Sequence, residues 1–201
     1  KTVWYSAARI LGGFFTALTL GTVLGWVASR FWVVETLLRP ITAVIKATPV
    51  ASFIILVLLW FSGKNLSVII SMLMVFPVIY MNVLEGIRSA DEKLLEMAQV
   101  FRLSVGKKLL YIYLPAVAPF FVSACSVSLG LCWKSGIAAE VIGTPDGSIG
   151  AVFYQAKIFL QTSELLAWTV VVVAFENLFM FLLRLVLKKL KMEDVLNGKR
   201  A

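Results

Sequence analysis

Long apolar runs with Lys and Arg at their ends make up most of this 201-residue sequence. A helix needs about 20 apolar residues to cross a hydrocarbon core about 30 Å thick. Runs at about residues 3–29, 66–86, 109–137 and 165–187 are long enough, and a shorter run occupies about 49–61. Composition agrees: 60% of residues are hydrophobic, 15% are charged, and the mean hydropathy is +0.92. Soluble domains carry about 45–50% apolar and 25% charged residues. The expected fold class is an all-α membrane protein, one transmembrane domain over residues 1–201 with five spans. The net charge of +8 does not point to nucleic acid, because Lys and Arg cluster at run ends, as topology signals do.

There is no His, which excludes His-based acid/base chemistry and His metal sites. Cys125 and Cys132 stand about 10 Å apart along one helix, beyond disulfide reach, and read as buried free thiols. No catalytic or metal-ligating constellation appears. The sequence begins Lys1-Thr2-Val3 without a signal-peptide pattern, so a further helix upstream is one expectation.

In the first span, Gly12, Gly13, Gly21 and Gly25 lie mostly in steps of four, a spacing that lets helix backbones approach; a pore-lining role is the alternative. Arg30 to Lys46 reads as a cytoplasmic, interface-lying connection, broken by Pro40 and Pro49. The short second run either begins earlier and kinks at Pro49 or spans only part of the bilayer. Ser62 to Asn65 is a turn. The third span contains Pro77, and its Asn82 is either helix–helix glue or cavity lining. In the fourth, Lys134 near the far end is placed to snorkel. Glu140 to Gly150 reads as a Gly/Pro-rich external loop, followed by a short surface helix at 151–161. The fifth span ends in Lys188, Lys189 and Lys191.

Between the third and fourth spans lies a polar, basic segment, about residues 89–108. Ser89-Ala-Asp-Glu92 fits a capping box, and Leu94, Met97 and Phe101, with Ala98, share one helical face. Asp91, Glu92 and Glu96 occupy the part of the helix where the dipole favours anions. Ser104 reads as the cap of a second helix, with Gly106 loosening the junction. With this segment inside and the spans alternating, fourteen Lys and Arg fall inside, among them Lys46, Lys191, Lys199 and Arg200. Five fall outside: Lys1, Arg9, Lys64, Lys134 and Lys157. That asymmetry puts the amino end outside and the carboxyl end inside.

Glu96, Ala98, Ile112, Leu114 and Pro115 fall at the spacing of the EAA loop, so the chain resembles the permease subunits of ABC importers. Two positions depart from the pattern: Met97 replaces an Ala, and Arg102 stands where Gly is usual. Without that Gly, the place of the turn between the loop's two helices is open, and Ser104-Val105-Gly106 is the alternative site for it. Arg9 to Phe14, Leu59 to Gly63 and Ala138 to Glu140 look most like the nitrate/sulfonate/taurine-type branch. The resemblance implies a five-helix permease core in a bacterial inner membrane, with a cytoplasmic coupling helix built from Glu96, Ala98, Arg102, Ser104, Gly106, Ile112, Leu114 and Pro115. It also implies a second permease copy, two ATPase subunits carrying ATP and Mg, and an extracytoplasmic substrate-binding protein, with no cofactor on this chain. The sequence itself lacks a G-x-x-x-x-G-K-[ST] phosphate loop, since Gly63-Lys64 is followed by Asn65.

The competing reading of the 92–104 helix is an amphipathic helix lying on lipid. Glu96 is expected to bond within the loop. Glu140 is either a gate or binding-protein contact, or a solvated helix end. Glu176 sits near mid-span, where ionisable groups face protein or water, and is either functional or a satisfied structural contact. Trp133-Lys134-Ser135 lines an outer vestibule for an anion or anchors the interface. The alternative class is a stand-alone secondary transporter or channel, which usually shows several intramembrane ionisable groups and an internal repeat. Here Glu176 is the clear mid-membrane acid, and no repeat is evident.

Overall fold

The computed structural model describes residues 2–189. Lys1, Lys191, Lys199 and Arg200, which entered the charge count, lie outside them. The helices are α1 (Thr2–Arg30), α2 (Trp32–Ala47), α3 (Val50–Trp60), α4 (Gly63–Arg88), α5 (Glu92–Val100), α6 (Val105–Lys108), a π-helical turn (Leu109–Tyr113), α7 (Leu114–Gly143), α8 (Ile149–Ile158) and α9 (Thr162–Lys189). Four stretches are long and apolar enough to cross a membrane: α1, α4, the continuous Val105–Gly143 helix, and Thr162–Leu187. The pair α2–α3 passes the same test only as a unit bent by 107°.

That bend resolves the short second run. Thr48 is extended (φ −84°, ψ 134°), as a residue before proline tends to be, and α3 starts after Pro49. Pro40 does not end α2; it sits inside that helix, where its ring removes one i→i−4 hydrogen bond. The fourth span also runs further than expected. Ala138 and Ala139 continue it to Gly143, and Thr144 ends it in a left-handed conformation at φ 40°. The loop expected to be external therefore shrinks to residues 144–148.

Three helices form the core. Ile10, Phe14 and Ala17 of α1 meet Val75, Ile79 and Val83 of α4, which meet Ala124, Leu129, Cys132 and Trp133 of α7. Small residues make this closeness possible. A Cβ on Gly13 would lie 2.5 Å from the Val68 carbonyl oxygen, and one on Gly21 would lie 2.9 Å from Ile79. Gly13, Gly21 and Gly25 are thus packing residues, whereas Gly12 faces open space. Cys125 and Cys132 are buried free thiols. α2 and α3 pack on the flank of α4: Ile54 sits with Leu66, Ile70 and Met74, while Val34 and Leu38 lie against Tyr80 and Leu84. Most of α9 is exposed, including Leu166, Val170, Phe181 and Leu185. Such a surface suits a hydrocarbon solvent.

Candidate functional site

Between α4 and α7 the chain folds into a helix–turn–helix. Ser89 closes α4, its hydroxyl donating to the Gly86 carbonyl at 2.9 Å, so it does not cap α5. Asp91 does, accepting from the Lys93 N–H at 2.9 Å. The expected capping box is thus displaced by two residues, because an Asp adjoining the helix captures a free N–H that Ser89, still tied to α4, cannot reach.

The turn after α5 is made at Arg102. Its φ is 50°, the left-handed region that favours glycine. The Leu103 N–H donates to the Ala98 carbonyl at 2.9 Å and the Arg102 N–H to Gln99 at 3.1 Å. This 6→1 and 5→2 pair is a Schellman ending, with Arg in the position Gly normally takes. The turn therefore stays at Arg102 and does not shift to Gly106. Gly106 is an ordinary residue of α6, and Ser104 begins that helix with extended backbone but no side-chain cap bond. Two satisfied carbonyls and the return of Leu103 onto the helix compensate for the strain at Arg102.

Ala98 is the pivot of the motif. It is fully buried with Ala90 and Ile112, and Leu95, Leu103, Tyr113 and Ala116 close around them. Ile112 lies in the π-helical turn, which the Leu114 N–H closes on the Leu109 carbonyl. Leu114 and Pro115 are exposed beside it. Beside the packed Ala98, α5 leaves apolar residues open: Phe101 is 72% exposed and Met97 44%, with Leu94 and Val100 alongside. Glu96 is also exposed and, among the described residues, makes no hydrogen bond. The expected bond within the loop is absent among the described residues.

The remaining candidates do not converge. Glu140 is neither a solvated helix end nor open to a pathway; it is fully buried. It accepts from the Ser6 hydroxyl at 2.6 Å and from the Gly150 N–H at 3.4 Å, while Ser6 accepts from the Ile149 N–H at 2.9 Å. Ser148 accepts from Ala151 at 3.0 Å. Together these groups satisfy the first N–H donors of α8, where a carboxylate also suits the helix dipole. Gly150 has no room for a Cβ against Glu140, so the clamp joins α1, α7 and α8 closely. Trp133 is buried against Phe179 of α9, with ring centroids 5.7 Å apart, whereas Lys134 is exposed. Adjacent positions on a helix point apart, and no vestibule triplet forms with Ser135. Glu176 is half-buried beside Gly130.

Asn82 donates to the Val78 carbonyl of its own helix at 2.8 Å. It glues no second helix; it lines a cavity of about 310 Å³ with Lys46 and Glu85. The sequence reading missed two things here. Ser6 carries no motif and is informative only through its partner 134 positions away. The meeting of Lys46 with Met81 likewise carries no motif and follows from the bend at Pro49.

Residues 17–191 match the family described as binding-protein-dependent transport system inner membrane component. The chain belongs to this family. The permease is 29% identical over 187 residues to the putative aliphatic sulfonates transport permease protein SsuC of Bacillus subtilis, covering 92% of this chain and 67% of that one. It is 27% identical to the taurine transport system permease protein TauC of Escherichia coli, covering 94% and 69%. It is 25% identical to the nitrate import permease protein NrtB of Synechococcus elongatus, covering 81% and 66%. The permease thus spans about two thirds of the length of these relatives. Among solved structures, the inward-facing MetNI methionine ABC transporter superposes with a TM-score of 0.69 at 16% identity, covering 94% of both chains. That likeness speaks for the fold alone: the bundle of the ABC importer permeases.

Proposed function

We propose that this permease is the pathway-forming subunit of an ATP-driven, binding-protein-dependent importer of a small anion of the sulfonate, taurine or nitrate kind. It works with a second permease copy, two separate ATPase subunits that carry ATP and Mg, and an extracytoplasmic binding protein. The described helices act as one permease domain in a cell membrane, with α5 on the cytoplasmic side. The observation that carries this reading is the set of exposed apolar residues on α5 beside the side that is packed through Ala98. A short helix held by Ala98 and Ile112 between the ends of two spans moves with those spans. Its exposed Leu94, Met97 and Phe101 suit a cleft on a partner that pushes. The named relatives support the anion class, since three of them carry sulfonates, taurine or nitrate in their names.

The test is a paired substitution on the open face, Met97→Glu with Phe101→Glu. Two charges on a docking face carry a desolvation cost of several kcal/mol. The complex should keep hydrolysing ATP or fall apart, and uptake should drop at least tenfold, while the permease still inserts. Uptake that survives the pair, or that persists without any ATPase subunit, refutes the coupling role; the second outcome favours a stand-alone transporter.

A further inference from the structure

Lys46 ends α2, just before the 107° bend into α3. Its ammonium donates to the Met81 thioether at 3.3 Å, a weak acceptor. Among the described residues it makes no ion pair. Met81 lies about 10 Å before the Arg88 end of α4 and about 27 Å beyond its Gly63 end, at 1.5 Å per residue. Lys46 therefore stands beside α4 about two turns short of its Arg88 end, with its side chain exposed. A cation beside an apolar helix normally faces protein or water.

The space beside it is open, more a groove than an enclosed cavity. Lys46, Pro77, Met81, Asn82, Glu85 and Phe120 line the space of about 310 Å³. A second space of about 280 Å³ shares Met81 and Glu85 and continues to Arg39 and Arg88 towards the α5 end. The Tyr80 hydroxyl on its wall is buried with no hydrogen-bond partner in the structure. The two cations differ in their engagement. Arg88 is held by Glu35 at 2.5 Å, whereas Lys46 rests on sulfur. An arriving anion displaces a thioether without breaking an ion pair, and binding of that kind is weak enough to let the anion leave.

We propose that Lys46 is a specificity-determining anion step on the pathway. In this assignment its ammonium takes the oxyanion head of a small sulfonate-type solute in the α2–α4 cavity and passes it towards Arg39. The proposal rests on the anion-importer reading above and adds the residue that would enforce it.

The test uses the full chain in membranes, co-expressed with its ATPase and binding protein. Asn82→Cys places a thiol on the cavity wall, and Val78→Cys on the same wall serves if the first does not insert. The native Cys125 and Cys132 are buried, and the chain without the added thiol gives the blank. Reaction rates are compared for anionic 2-sulfonatoethyl methanethiosulfonate and cationic 2-(trimethylammonium)ethyl methanethiosulfonate. Lys46→Gln should lower the anion-to-cation rate ratio about tenfold, as expected for removing a unit charge a few ångströms from the thiol; Lys46→Arg should preserve it. A ratio that Lys46→Gln leaves unchanged, or a thiol neither reagent reaches, overturns the assignment. Taurine uptake should fall at least tenfold in Lys46→Gln and survive in Lys46→Arg, and unchanged uptake in Lys46→Gln also overturns it. If the unaltered complex imports no taurine, the taurine reading fails, while the rate ratio still decides Lys46.

Discussion

Replacing Arg102 with Gly should stabilise the ending of α5, and replacing it with Val should loosen it. An L-residue held in the left-handed region costs about 1–2 kcal/mol. Glycine avoids that cost but gives up about 0.5–1 kcal/mol in chain entropy on folding. The net gain for Arg102→Gly is therefore about 0.5–1 kcal/mol, or roughly a two- to fivefold smaller opening constant. Valine is branched at Cβ, and at φ 50° it adds a further cost of about 1 kcal/mol. The readout is amide hydrogen exchange at positions 102 and 103, whose N–H groups make the 3.1 and 2.9 Å bonds of the Schellman pair. Exchange at 103 should slow by about two- to fivefold in Arg102→Gly and quicken by about fivefold in Arg102→Val. Gly106→Ala is the control. No atom lies within 4 Å of where its Cβ would stand, and its backbone is helical, so the change should be neutral or slightly protective. Faster exchange at 103 in Gly106→Ala, with none of the expected response in Arg102→Gly, would refute the placement of the turn.

Gly13→Val should lower the thermal midpoint in detergent sharply, by the equivalent of about 3 kcal/mol, because its Cβ meets the Val68 backbone. Gly12→Ala, facing open space, should move it little, and equal effects of the two would refute the α1–α4 packing. Ser6→Ala removes two buried bonds at once and should cost about 1–3 kcal/mol by the same measurement. Glu140→Gln keeps acceptors for Ser6 and Gly150 and should be milder than Glu140→Ala; the reverse order would count against the clamp.

The spans were legible because bilayer thickness acts on every residue of a run, so length and hydropathy suffice. The loop was legible because Glu96, Ala98, Ile112, Leu114 and Pro115 keep a fixed spacing. Where the turn falls was not legible. The sequence contains a Gly at 106, and propensity points there, but the position of the left-handed residue follows from where α5 ends, and that follows from the burial of Ala98. Leu160 repeats the lesson: it too is left-handed, at φ 53°, and the Gln161 N–H reaches back to the Ala156 carbonyl at 2.8 Å. Glu140 failed for a related reason. A carboxylate at the end of an apolar run reads as solvated unless one knows that Ser6 and the start of α8 return to meet it.

The packing also explains why α5 and Lys46 belong to one account. α1, α4 and α7 approach so closely that glycine is required at Gly13, Gly21 and Gly86, where a Cβ would lie 2.9 Å or less from a neighbour. Close-packed helices move as a body and do not deform continuously. α5 is tied to the ends of α4 and α7 through Ala90, Ala98, Ile112 and Ala116, so a force on its open face reaches that body whole. Outside that body, the bent α2–α3 pair packs on the flank of α4. There two cavities adjoin and Lys46 rests on Met81. Under the coupling proposed above, a displacement entering at Met97 and Phe101 reaches α4 at its Arg88 end, and the proposed anion step at Lys46 lies beside Met81, about two turns away along the same helix.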